Sequence, residues 1–159
     1  MGRKLSPATV YMLKALLPYS RENLTLSFSP GRFFYELERK SSYSNATIKG
    51  AYYRARKQSL ISDEVLPRLT AKGKQKLQPF IATKLQENAR LMVVFDIPEE
   101  KAELRRQFRT LLRELKFEQA QLSVWITDFD HKDILLEAVE DMQLDGYIQI
   151  YESARLFPY

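Results

Sequence analysis

Cysteine is absent from the 159-residue sequence, which excludes a disulfide scaffold, thiolate zinc sites and thiol nucleophiles. Histidine occurs once, at His131, so imidazole metal cages and most Ser-His-Asp arrangements are excluded as well. Long apolar runs are missing. The best of them, Leu91 to Phe95, falls far short of the roughly 20 residues that a membrane-spanning helix needs. No signal-peptide core follows Met1-Gly2-Arg3-Lys4-Leu5, and Pro18 cuts the first apolar segment short. These absences predict a soluble cytoplasmic protein with no membrane partner. Apolar residues still make up 45% of the chain, enough to bury a core, so low-complexity disorder is excluded for most of its length.

Charge is what the sequence has in excess, and it is unevenly placed. Residues 1–80 hold 15 Lys and Arg against 5 Asp and Glu, whereas residues 81–159 hold 10 against 15. A strongly basic half beside an acidic one suggests that only the first meets a polyanion.

The basic half reads as a series of short helices. Val10, Leu13, Leu16 and Leu17 recur at helical spacing after Ser6, a cap, and Pro7, a first-turn residue, and Pro18 ends that helix. Thr25 to Ser29 alternates like a short strand. Pro30 opens a second helix with Phe33, Phe34 and Leu37 inward. The polar turn Ser41 to Asn45 precedes a third, from about Ala46 to Gln58, with Asn45 as its expected cap. Ile48, Ala51 or Tyr52, and Ala55 are its buried positions. Lys49, Tyr53, Arg54 and Lys57 lie opposite. Leu60-Ile61 and Val65 to Leu69 read as two short strands around a polar turn, and Thr70 caps a fourth helix from Ala71 to about Phe80.

Three helices and a hairpin in this order make the winged helix-turn-helix plan, with the third helix in the major groove and the hairpin as the wing. The string from Ala46 to Ile61 resembles the recognition helix and first wing strand of bacterial winged-helix repressors, and Leu69-Thr70-Ala71-Lys72-Gly73 resembles their wing-to-helix exit. Ser59 stands where those repressors usually carry a glycine at the helix end.

Beyond a polar, helix-like connector (residues 81–89) the pattern changes. Arg90 to Pro98 is a strand buried on both faces or in an interface. Leu104, Phe108, Leu111, Leu112 and Leu115 mark an amphipathic helix from Glu99 to Leu115. Phe117 to Ile126 is strand-like with a break near Gln121, His131 to Leu144 is a second helix, and Gly146 to Tyr151 is a last strand. The order strand, helix, two strands, helix, strand over residues 90–159 is the ferredoxin-like βαββαβ plan. The expected fold is therefore α+β, a winged helix over residues 1–80 followed by a ferredoxin-like domain.

Val94-Phe95-Asp96-Ile97-Pro98, Arg105-Arg106, Leu112, Phe117, Gln121, Ser123, Val124 and Trp125 resemble the C-terminal domain of the phenylacetate-repressor (PaaX) family of transcription regulators. That domain is in turn similar to CRISPR-associated endonuclease two (Cas two), the small ferredoxin-like subunit of the spacer-integration complex. Lys116 stands where the family pattern expects a glycine before Phe117, and the middle segment usual in the longer repressors is missing between the two parts. The resemblance implies a compact relative, a homodimer pairing through its ferredoxin-like halves.

Duplex binding needs cations for phosphates and a few side chains for base edges. The expected DNA-binding set is Thr47, Lys49, Tyr53, Arg54 and Lys57 on the third helix, with Arg68, Lys72 and Lys74 on or after the wing. Asp96 is the one candidate for catalysis and for a metal. In the endonuclease family an aspartate at the end of the first strand sits near the dimer axis, where two copies could hold one Mg²⁺. The alternative is an aspartate that accepts backbone N–H bonds and caps the next helix, which the repressor resemblance favours. His131 is read as part of a polar turn, with Asp130 capping the following helix rather than the cluster binding a metal. Arg105, Arg106, Arg109 and Arg113 are expected to pair with Glu99, Glu103 and Glu114 or with a partner subunit, phosphate contact being the alternative. The apolar tail Leu156 to Tyr159 is expected to dock, for example as an added edge strand on the other subunit.

Together these features predict a nucleoid-associated, homodimeric regulator that binds double-stranded DNA at an inverted repeat and requires no cofactor. A small-molecule effector is possible, though the sequence names no pocket for one. The alternatives are a Mg²⁺-dependent nuclease and a non-catalytic subunit that bridges DNA to an integrase partner.

Overall fold

A computed structural model describes residues 4–17, 25–26, 29–154 and 156, and divides within a helix into two units, Met1–Leu77 and Gln78–Tyr159. In the first unit Ser6 caps α1 (Pro7–Lys14) by accepting from the Thr9 N–H at 3.2 Å. Helix α2 (Pro30–Arg39) starts on a proline, and α3 (Asn45–Lys57) is capped by Ser44, whose hydroxyl accepts from the Thr47 N–H. Asn45 is thus the first helical residue and not the cap, its N–H taken by the Glu38 carboxylate at 2.8 Å. Phe33, Phe34 and Leu37 from α2 meet Ile48, Ala51, Tyr52 and Ala55 from α3 in a core that Met12 and Leu13 of α1 complete.

The strand expected over Thr25 to Ser29 is not formed at its described residues. Thr25 and Leu26 are helical, and the Ser29 N–H bonds to the Thr25 carbonyl at 2.8 Å, closing a turn. Ser27 and Phe28 lie outside the described residues. The two wing strands reduce to a single antiparallel bridge, Ile61 with Leu69, supported by the Ser62 N–H to the Arg68 carbonyl at 2.8 Å. Pro67 has no N–H to extend the ladder. Thr70 then caps α4 (Ala71–Ile81), accepting from the Gly73 N–H at 3.0 Å.

The second unit carries four strands, β1 (Ala89–Phe95), β2 (Glu118–Gln121), β3 (Val124–Thr127) and β4 (Ile148–Ala154), in the antiparallel order β2-β3-β1-β4. A 3₁₀ turn (Glu99–Lys101) leads into α5 (Ala102–Glu114), and α6 (Lys132–Asp141) precedes β4. This α+β order is compatible with the ferredoxin-like plan. Strand β1 is central, and its Leu91, Val93 and Phe95 alternate into a core with Phe108, Leu112, Trp125 and Leu135. Met92 and Val94 on its other face are only half-buried, so β1 is not sealed on both sides. From Ala82 to Asn88 the connector is not helical. Its Lys84 bridges Phe129, and the Leu85 N–H bonds to the Asp128 carbonyl at 2.8 Å.

Both positions where the family patterns expect glycine adopt the left-handed backbone that glycine favours, Ser59 at φ 57° and Lys116 at φ 62°. Each ends a helix with the same wrap. Leu60 N–H reaches back to the Ala55 carbonyl and Phe117 N–H to the Leu112 carbonyl, both at 2.9 Å.

Candidate nucleic-acid interface

Burial of Ile48, Ala51, Tyr52 and Ala55 fixes the rotation of α3, and the opposite face is left to solvent. Lys49, Tyr53, Arg54 and Lys57 are exposed there, and α3 contains no Asp or Glu. The spacing brings these four residues together on one helix, as the sequence predicts.

Their side chains are held to different degrees. Lys49 Nζ stands 5.7 Å from the Phe34 ring centroid, and the Tyr53 ring, 61% exposed, packs edge-on against Tyr52 at 5.5 Å. Arg54 folds back along the helix over Gly50, where an added Cβ would meet its Nη1 at 3.2 Å. Thr47 is committed to the helix start, its hydroxyl 2.9 Å from that of Ser44.

The loop after α3 is tied to the helix end. Arg56 Nη2 donates to Asp63 at 2.5 Å and its guanidinium stands 5.9 Å from the Tyr52 ring centroid. Burial raises the Tyr52 hydroxyl above its ordinary range, with Arg56 opposing the shift, so Tyr52 stays neutral at physiological pH. The reasoning from sequence missed Arg56 as an organising residue. Its signal was an acidic residue in the following turn, within reach of the basic end of the helix. Lys72 points its ammonium at the Gln58 carbonyl at 2.9 Å, so it caps α3 from below. Arg68 is exposed beside the bridge, its N–H on the Ser62 hydroxyl at 3.0 Å, and Lys74 is exposed in the first turns of α4.

In the second unit, Asp96 is exposed at the end of β1, and its backbone N–H bonds to the Tyr147 carbonyl at 2.9 Å. The 3₁₀ turn that follows has Pro98 as its cap and no side-chain cap bond, so Asp96 does not cap it. Among the described residues no group of three or more His, Asp and Glu side chains converges on a possible metal position. Arg105 pairs with Glu99 at 2.6 Å and Arg106 with Glu103. Arg109 and Arg113 instead lie over the Phe95 and Trp125 rings, 5.7 and 5.6 Å from their centroids.

His131 is not in a polar turn at the surface. It is 1% exposed, beside the rings of Phe117 and Phe129, and neither ring nitrogen has a hydrogen-bond partner. Burial lowers its pKa, as does Lys116, while the nearby Leu115 carbonyl and Asp130 oppose the shift. Asp130 is not the cap of α6: His131 holds that position with no side-chain cap bond, and the Asp130 carboxylate accepts only from the Lys132 N–H at 3.1 Å. Of the apolar tail only Leu156 is described, and it is exposed; the rest lies outside the described residues.

No helix among the described residues is long and apolar enough to cross a membrane. No curated protein and no solved structure matches the chain. The ferredoxin-like motif does find a counterpart, assigned to the family's central domain and not to its C-terminal one. Residues 88–157, which take in β1 to β4, α5 and α6, are similar to the PaaX protein central Cas2-like domain.

Proposed function

We propose that the chain is a sequence-specific, double-stranded-DNA-binding transcription regulator, a repressor that acts as a homodimer on an inverted repeat. One observation carries this reading: the solvent face of α3 gathers Lys49, Tyr53, Arg54 and Lys57 with no carboxylate on the helix. A helix of this kind can place cations on flanking phosphates and side chains against base edges in the major groove. The excess of cations in the same unit adds the sequence-independent attraction that brings a duplex close. The wing is then the short loop closed by Ile61 and Leu69, with Arg68 at its edge. The similarity of the second unit to a PaaX-family domain supports a regulator in which that unit joins two copies. Repression would follow from occupancy of a promoter and needs no covalent step or cofactor.

The test is a binding selection of the full-length protein on randomised duplexes at near-physiological salt. The expected result is a two-fold symmetric motif that Lys49→Ala with Arg54→Ala abolishes. Recovery of duplexes without any common motif would overturn the sequence-specific reading and turn attention to Asp96, Mg²⁺ and DNA ends.

A further inference from the structure

Within the first unit, a cavity of about 370 Å³ opens between the start of α1 and the last turns of α3. Its wall carries Lys4, Leu5, Ser6, Thr9, Arg54 and Gln58. Two cations line it and no carboxylate does. Among the described residues neither Lys4 nor Arg54 has an acidic partner.

Three features make this more than a basic dent. Thr9 is 7% exposed, so a polar side chain is buried in the wall. Its hydroxyl and that of Ser6 lie 2.8 Å apart and share one hydrogen between them, which leaves one O–H free to donate. Thirdly, Gly50 sits inside α3, where glycine is costly, and Arg54 Nη1 fills the space that a side chain there would take. The guanidinium of this exposed side chain thus lies back along the helix toward Gly50.

We propose that this cavity is a phosphate-ester site, with Arg54 and Lys4 as the charged ligands and the Ser6–Thr9 pair supplying a neutral donor. A tetrahedral dianion or diester suits the set, because guanidinium and ammonium only donate, the hydroxyl pair can donate, and no carboxylate lines the cavity. The volume admits an organic group beside the phosphate. The phosphate can come from the backbone of a bound duplex or from a small phosphorylated molecule. The first source rests on the DNA-binding reading and the second does not.

The experiment is an amide NMR titration of the full-length protein with inorganic phosphate, at ionic strength held constant with chloride. Saturable shifts at Ser6, Thr9, Gly50 and Arg54 are expected, with affinity weakened about tenfold or more in Lys4→Gln/Arg54→Gln, since each charged hydrogen bond is lost. Unshifted amides up to tens of millimolar, or an unchanged titration in the double variant, would overturn the site. Arg54→Lys, which keeps the charge but loses the fork, should bind phosphate with intermediate affinity. Repeating the titration on the complex with a short duplex separates the sources. Amides already shifted by duplex and silent to phosphate assign the site to the DNA backbone. The double variant then lowers the salt slope of duplex binding by about 1.8. Phosphate binding that persists in the complex assigns it to a small molecule. A chain that binds no duplex at all would refute the regulator reading and leave the phosphate titration standing on its own.

Discussion

Replacing a helical glycine by alanine ordinarily stabilises a protein by about 1 kcal/mol, and two glycines here should respond with opposite signs. Gly73 lies in the first turn of α4 against the end of α3. A Cβ built there would stand 2.1 Å from the Leu60 carbonyl oxygen and 3.0 Å from its carbon, closer than real Cβ atoms come. That oxygen cannot simply swing away, because it accepts from the Thr70 N–H at 3.1 Å. Nor can the start of α4 retreat freely, since the Gly73 N–H is held by the Thr70 hydroxyl, which itself donates to the Ser59 carbonyl. Overpacking costs about 1–3 kcal/mol and a lost hydrogen bond about 1 kcal/mol, so after the helix gain the net loss is about 2 kcal/mol. For a unit of this size that lowers the midpoint by roughly 10 °C. Gly31, in the first turn of α2, has nothing within 4 Å of its Cβ position, and Gly31→Ala should raise stability by about 0.5 kcal/mol. Neither glycine has a positive φ, so alanine meets no backbone penalty at either. Thermal unfolding followed by the helical circular-dichroism signal checks both. A Gly73→Ala midpoint at or above that of the parent would refute the contact with Leu60 as the reason for that glycine.

Other outcomes follow from the same geometry. Ser59→Gly should stabilise the first unit by about 1 kcal/mol, because it relieves a side chain at φ 57°, as read by thermal melts; Ser59→Val should do the reverse. His131 has a lowered pKa in the fold, so below the ordinary histidine value of about 6.5 the unfolded chain takes up the proton first. Stability of the second unit should be complete above that pH and decline as pH falls below it, by at most about 1.4 kcal/mol per pH unit. Urea midpoints from Trp125 fluorescence should show this slope in the parent and lose it in His131→Leu. In the DNA-binding reading, about eight phosphate contacts per dimer give a plot of log affinity against log salt with a slope near −7, measurable by fluorescence anisotropy. Lys72→Ala should change that slope little and instead lower the melting temperature, since its ammonium is engaged with the Gln58 carbonyl.

Much of this was legible because it depends on local rules. Ser6 with Pro7, Thr70, and the inward sets of α2, α3, α5 and α6 announce themselves through capping chemistry and periodicity. Thr25 to Ser29 misled because five residues of alternation are also compatible with a helical turn, and the Ser29 to Thr25 bond decides between them. Asn45 and Ser44 are both good caps, and only the tertiary reach of Glu38 to the Asn45 N–H selects Ser44. His131 looked polar because its neighbours in sequence are charged; the rings that bury it come from residues 117 and 129, and one of those is on the far side of a hairpin. The basic face of α3 could be read from spacing alone. That Arg54 folds over Gly50 and lines a cavity with the start of α1 could not, since it needs two helices brought together.

The resting contacts of the α3 side chains have a thermodynamic consequence. Lys49 is docked on Phe34, Tyr53 on Tyr52 and Arg54 over Gly50 before any ligand arrives. Immobilising such a side chain at an interface costs about 0.5–1.5 kcal/mol when it is free beforehand. Side chains that already rest against a neighbour have less of that entropy left to lose, so association should show a smaller unfavourable entropy than the same contacts made by loose side chains. Phe34 and Gly50 would then tune affinity from behind the contact surface, and calorimetry of Phe34→Leu should register the change in entropy more than in enthalpy.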